Sequence, residues 1–360
     1  MLFKIGLLTK KARTGKAMKQ FNQNLMPGEI VKAPGAGLSL LKLKDRRKWW
    51  LTIHLWLGLI LGLLLAIYGL TGSILVFHDE IDELLSPQFL TVVPANDHQE
   101  YKPLAEIFQV GQAAMPEQAK HSFSDYPRNG AAVFKLSYVM SPSADVTENW
   151  EVYVNPYTAK VTGKRLMSSS DSSIPKTFIG FVFELHYALL VKPEISSIVV
   201  GVSGALLIIS VLTGLIVWWP LTGRWLQALT IKRKTGTERF TFDVHKASGF
   251  YTSLIMIPVL FSGVYMVLPE HVVPVLELLS PVTYRYGFSS TPRPNVEPIS
   301  MADAVAIAEQ RYPRGRPHWI YGAPGITDTY MVCLSDVDRP GSWLQRACVV
   351  MDRYTGKTLI

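Results

Sequence analysis

The chain has 360 residues, 48% of them hydrophobic, with a formal net charge of +8. Its mean hydropathy of +0.19 is high for a chain wholly in water and natural for one partly in lipid. The basic residues crowd Lys4 to Lys48 and Arg224 to Lys246, each cluster beside one end of an apolar run. That placement reads as the positive-inside rule. It speaks against a nucleic-acid surface, which wants basic and aromatic residues interleaved over a folded face.

Residues 1–48 read as a basic cytoplasmic arm, without the compact apolar stretch and cleavage site of a removable signal. Residues 49–77, WWLTIHLWLGLILGLLLAIYGLTGSILVF, contain no charged side chain. The run exceeds the roughly 20 apolar residues that span a bilayer, so it is predicted as a first membrane helix. It exits at His78-Asp79-Glu80. Residues 97–166 are soluble in character, with a helix expected over Pro103 to Ala119. Strands are expected over Ala131 to Tyr138 and Trp150 to Val154, with a turn at Asn155 to Thr158 and a short return at Val161 and Gly163.

Residues 178–219 begin with an apolar stretch interrupted by Glu184 and His186, read as an interfacial helix. A second membrane helix follows from about Ile195 and stops before Pro220. Residues 220–241 are a basic cytoplasmic loop, and residues 242–268 a third membrane helix. Residues 296–360 form a second outside module. A helix is expected there over Met301 to Tyr312, and strands over Tyr330 to Leu334 and Arg346 to Met351. The two cysteines, Cys333 and Cys348, make no Cys-x-x-Cys pair; a disulfide between them is open. Hydrolase, phosphate-loop and dinucleotide fingerprints are absent from the sequence.

The chain repeats itself. His54 is followed by Gly58 and by Thr71-Gly72; His245 is followed by Gly249 and by Ser262-Gly263, at the same spacings. Each unit then closes on a related phrase, VYVNPYTAKVTG (Val152 to Gly163) and VVMDRYTGKTLI (Val349 to Ile360). Symmetry therefore predicts a fourth helix with its own histidine, which these residues do not supply.

An ionisable ring at the edge of lipid is a functional suspect. His54 and His245 enter their helices from the same side, so they lie at one depth and can face each other. Imidazoles on separate helices are what an axial haem site needs. Gly58 and Gly249, one turn along, leave room for a porphyrin edge or for close helix contact. The plainer alternative is a pair of interfacial histidines bonded to headgroups or backbone. His186 has the same two readings. His78 and His271 lie just past outer helix ends, where a histidine costs little, and His98, His121 and His318 are expected at the module surface. Gly62, Gly69, Gly72, Gly201, Gly204 and Gly214 read as small-residue packing positions. Trp218 and Trp219 read as interfacial anchors. Arg224, Lys232, Arg233 and Lys234 read as topology determinants that could also meet haem propionates.

Four stretches resemble the PepSY-associated transmembrane family, which includes iron-regulated membrane proteins and ferric-siderophore reductases of bacterial inner membranes. They are IHLWLGLILGLLLAIYGLTGSILVFHDEID (Ile53 to Asp82), ELHYALL (Glu184 to Leu190), TGLIVWWPLTGRW (Thr213 to Trp225) and FDVHKASGFYTSLIMIPVLFSGVYM (Phe242 to Met266). The outside modules look like PepSY domains. The resemblance implies four membrane helices and two b-type haems. His54 and His245 would hold the cytoplasmic-side haem. His186 would hold the periplasmic-side haem together with a histidine of the fourth helix.

The fold expected is an α-helical membrane protein with three membrane helices here, where the family has four, and two small α+β PepSY-like periplasmic modules. The function expected is a haem b protein of the bacterial inner membrane. It would pass electrons from a quinol or protein donor to a periplasmic acceptor, most readily a ferric siderophore, in iron acquisition. The alternative is a membrane-anchored PepSY binding or regulatory protein without redox activity. Transport would want charged residues along an intramembrane path, and the runs lack them.

Overall fold

The computed structural model describes residues 36–94, 100–172, 174–220, 223–232, 236–282, 287–338 and 345–360. The basic arm through residue 35, His98, Arg233 and Lys234 lie outside the described residues. The chain divides into two compact units, Met1–Thr52 and Ile53–Ile360.

Among the described residues, three helices are long and apolar enough to cross a membrane. Helix α1 (Ala36–Leu75) contains the first span, Asp45–Leu75. It starts well before residue 49 because LSLLKLKDRRK is rich in good helix formers. Short helices α2 (His78–Leu85) and α3 (Pro87–Leu90) follow, and α4 (Leu104–Ala113) opens the sheet domain. Helix α5 (Phe178–Ala188) leads to α6 (Pro193–Trp218), which holds the second span, Glu194–Trp218. After α7 (Trp225–Leu229), helix α8 (Thr237–Val267) is the third span and keeps Pro258 inside it. It begins earlier than residue 242, with Glu238 in its first turn, where the helix dipole favours an acid. Helices α9 (Pro269–Glu277) and α10 (Met301–Arg311) complete the set; a capping box of Ser300 and Asp303 fixes the start of α10.

Helices α6 and α8 pack on small residues. A Cβ on Gly204 would sit 2.8 Å from Val264, and Gly201 lies against Leu268. Trp218 is nearly buried and stacks on Phe250 with ring centroids 4.0 Å apart, so it is a packing residue and not an interfacial anchor. Helix α1 reaches α6 through polar side chains, among them Tyr68 hydroxyl to Ser203 Oγ at 2.8 Å. Its remaining surface is a stripe of exposed leucines and isoleucines, including Leu59, Ile60 and Leu63, which suits lipid.

The sequence reads as two separate modules, but their strands join in one antiparallel sheet. The strands are β1 (Lys120–Asp125), β2 (Phe134–Ser143), β3 (Val146–Val154), β4 (Val161–Ser169), β5 (Arg316–Tyr321), β6 (Thr329–Ser335) and β7 (Ala347–Asp352). Their order is β4-β3-β2-β1-β5-β6-β7. The seam is β1 with β5, in the register Phe123↔Tyr321, Ser124↔Ile320, Asp125↔Trp319. Each of these is the first strand of its module, so the repeats meet through equivalent edges, as two subunits of a symmetric dimer do. Helices α4 and α10 cover one face. Leu104 and Phe108 of α4 pack into the core of the second module as well as their own.

The repeat is visible atom by atom at the closing turns. Asn155 Oδ1 accepts from the backbone of Tyr157 (2.8 Å) and Thr158 (3.2 Å); Asp352 Oδ1 accepts from Tyr354 (3.0 Å) and Thr355 (2.9 Å). The residues that follow, Ala159 and Gly356, have φ of 50° and 66°. The tyrosines then donate to the carbonyls of Gly130 and Ile326 at 2.7 and 3.0 Å. A disulfide joins Cys333 to Cys348, which face each other across β6 and β7.

Helix α2 ties the membrane helix to this sheet. Four of its carboxylates take partners from the sheet domain. Asp79 pairs with Lys135, Glu80 and Glu83 with Arg128 at 2.5 and 2.7 Å, and Asp82 with Arg165 at 2.5 Å.

Candidate functional site

His54 lies on α1, one residue into the second unit. Its Nδ1 is 3.0 Å from the Ser210 carbonyl and 3.3 Å from Thr213 Oγ1, both on α6. The Thr213 hydroxyl donates to that same carbonyl at 2.8 Å, the usual back-bond of a helical threonine. A carbonyl only accepts, so Nδ1 carries the proton and Nε2 holds the lone pair. The ring lies against Gly214, where a Cβ would come within 2.8 Å of Cε1. Any side chain at Gly214 would push the imidazole away.

His186 sits on α5, whose start is capped by Thr177 accepting from Gly180 N. Its Nδ1 is 2.9 Å from Thr71 Oγ1 on α1. The Thr71 hydroxyl donates its proton to the Ile67 carbonyl at 2.6 Å, so its oxygen accepts from Nδ1–H. His186 is therefore the same tautomer as His54. Its ring lies against Gly72, with a Cβ there 3.1 Å from Cε1, and edge-on to Tyr68 at 5.9 Å. The arrangement thus occurs twice, at opposite ends of the α1–α6 pair: a histidine on a Thr-Gly step of the neighbouring helix.

His245 lies on α8, near its start. Asp243 is buried there between Lys246 (3.1 Å) and Arg239 (3.3 Å), and Lys246 also donates to the Gln227 carbonyl of α7 at 2.9 Å. These bonds hold the entry turn in place. The His245 and His54 ring centroids are 6.1 Å apart, with the planes at 44°. A metal bound to one nitrogen of each ring, at about 2 Å per bond, would separate the centroids by about 6 Å. Two imidazoles from separate membrane helices at that distance could hold a metal such as haem iron, with Nε2 of His54 meeting no hydrogen-bond partner among the described residues. A Cβ at Gly58 or Gly249 would meet nothing within 4 Å among the described residues, and Gly62 and Gly69 are equally open.

The structure brings His54 and His245 together and sets His186 apart, among Tyr68, Thr71 and Gly72 of α1. His78 turns back to the Leu75 carbonyl, with Nδ1 2.9 Å away, and is exposed, as is His271. His121 is not a surface residue. It packs edge-on between Phe108 and Tyr138 at 5.5 Å each, its Nε2 is 2.5 Å from Ser124 Oγ, and its buried Nδ1 has no hydrogen-bond partner among the described residues. Burial pushes its pKa down to about 4. His318 is half-buried beside Trp319, and burial with the nearby Arg346 and Arg316 lowers its pKa too. Sequence reasoning did not single out Ser210, Thr71 or Thr213 as partners of the histidines. The available signal was the Thr-Gly dipeptide, near opposite ends of two antiparallel helices.

A family profile described as the PepSY-associated TM region matches residues 51–357. The chain belongs to this family. The PepSY-associated match takes in most of the first span, the other two spans, the whole sheet, and His54, His186 and His245. No curated protein matches the chain.

Proposed function

We propose that this PepSY-associated membrane protein carries b-type haem and passes electrons across the bilayer to an acceptor outside, with a ferric siderophore as the favoured acceptor. The observation that carries the reading is the His54–His245 pair, two imidazoles from α1 and α8 at 6.1 Å. Haem would supply a one-electron carrier between such rings. The protein's own residues hold the rings: Ser210 and Thr213 fix His54, and the Asp243 clamp fixes the turn that bears His245. The basic clusters support an inside position for the start of α1 and for the α6–α8 loop. The Cys333–Cys348 disulfide supports an oxidising compartment, the periplasm of an inner-membrane protein, for the sheet domain.

A second reading keeps the membrane helices as anchors and makes the sheet domain the working part. It is favoured by a cavity of about 470 Å³ beside the β1–β5 seam, whose lining includes Tyr101, Tyr126, Arg128, Arg316, His318 and Arg346. Such a cavity suits a small polar ligand. One experiment separates the two. The purified protein, expressed with ample haem, is recorded as a reduced-minus-oxidised spectrum beside His54→Ala and His245→Ala. A low-spin b-type spectrum lost in both variants supports the haem reading. A colourless protein, or spectra indifferent to both changes, overturns it.

A further inference from the structure

The two histidines that rest on α1 and α6 are held in one way, down to the atom. In each, Nδ1 faces an oxygen of a Thr-Gly step, and the Cε1 edge lies on the bare Cα of the glycine. The order of approach to a Cβ is the same at Gly214 and Gly72, Cε1 nearest, then Nδ1, then Nε2. The threonine hydroxyls are committed elsewhere as donors, to Ser210 O and Ile67 O. Neither hydroxyl has a proton left to offer a ring nitrogen.

The geometry points to Thr71 and Thr213, each with the glycine that follows, as positioning residues that fix His186 and His54 in the Nδ1–H tautomer and leave Nε2 as the ligand nitrogen. The inference rests on the haem reading for its purpose, not for its geometry. Orientation of a ligating histidine by the hydrogen bond of its other nitrogen is a general device. It fixes the ring and raises ligand basicity.

Each ring has a hydroxyl and a backbone carbonyl three residues before it, but in a different rank. At His54 the Ser210 carbonyl is the nearer, at 3.0 Å against 3.3 Å for the Thr213 hydroxyl. At His186 the Thr71 hydroxyl makes the close contact, at 2.9 Å, with the Tyr68 backbone as the second partner. Loss of the hydroxyl therefore weakens the hold on His186 more than that on His54. A less basic imidazole supports ferric iron less, so loss of an acceptor raises the reduction potential.

The test uses the full chain in detergent, as wild type, Thr71→Val, Thr71→Ser and Thr213→Val. Potentiometric titration is expected to show Thr71→Val raising the potential of whichever haem His186→Ala abolishes. A tenfold change in its ferric–ferrous equilibrium would be about 59 mV for one electron. Thr71→Ser is expected to restore it. Thr213→Val is expected to leave the His54-dependent haem in place, because the Ser210 carbonyl still takes Nδ1–H. Equal shifts in both valine variants, no shift in Thr71→Val, or no rescue by serine would overturn the inference. Histidine ¹⁵N spectra of the chain expressed without haem decide it separately. Nδ1–H at both histidines in wild type, with a mixed population at His186 in Thr71→Val, supports it; Nε2–H in wild type overturns it. A wild type that binds no haem would sink the haem reading alone, and the ¹⁵N result would still stand or fall by itself.

Discussion

His121→Gln removes a titrating ring from the layer between α4 and the sheet and keeps a hydrogen-bonding side chain there. In the fold the ring is neutral, with a pKa near 4 against an ordinary 6.5, because burial opposes its charge. The unfolded chain takes up a proton below the ordinary value and the folded chain does not. Stability is therefore lost as pH falls from about 6.5 to about 4. At about 1.4 kcal/mol per unit, the loss is up to about 3 kcal/mol, a ceiling because the ring keeps some contact with water. Four residues along β1, Asp125 works the other way. Burial raises its carboxyl to about 6 from 3.8, so the fold holds a proton that the unfolded chain has released. Acidification through the same window relieves that penalty by a similar amount. The two groups nearly cancel in wild type, and His121→Gln exposes the Asp125 limb. Thermal unfolding of wild type and variant, followed by near-ultraviolet circular dichroism between about pH 7 and about pH 4.5, reads the difference. The variant should gain on wild type by up to about 3 kcal/mol as pH falls. A gap that is the same at every pH would refute a buried, neutral His121.

Arg165→Met should leave Asp82 as an uncompensated carboxylate, since Arg165 makes two bonds to it at 2.9 and 2.5 Å and both side chains are largely buried. The cost expected is about 3 kcal/mol, read as a lower melting temperature that Arg165→Lys restores only in part, because an ammonium cannot make the fork. Reduction of Cys333–Cys348 opens a link across 15 residues of chain. It should destabilise the sheet domain by at most about 3 kcal/mol, seen as a melting shift with reductant that Cys333→Ala/Cys348→Ala no longer shows.

The membrane part was legible because it is written in composition. Long apolar runs marked α1, α6 and α8, and the spacing of His54 and His245 in the repeat put both rings at one level. What their neighbours do was not legible. Whether Thr213 meets His54 or lipid depends on rotation about two helix axes, which a hydropathy pattern with apolar residues all round does not encode. In the sheet, the strongly apolar strands β6 and β7 stand out. The seam strands do not: KHSFSD is mostly polar and RPHWIY opens with proline next to arginine. Their pairing joins segments far apart in sequence, so no local pattern announced that the two modules share a sheet. His121 was misread for the same reason. It looks solvated in a polar hexapeptide until α4 is laid over it.

The four carboxylates of α2 change what kind of machine this is. Asp79, Glu80, Asp82 and Glu83 are all paired with side chains of the sheet domain, so the turn that leaves the first membrane helix is fastened to the sheet. A change of tilt of the first helix in a thicker or thinner bilayer would then be felt at Lys135, Arg128 and Arg165, so membrane thickness would load the sheet domain through these pairs.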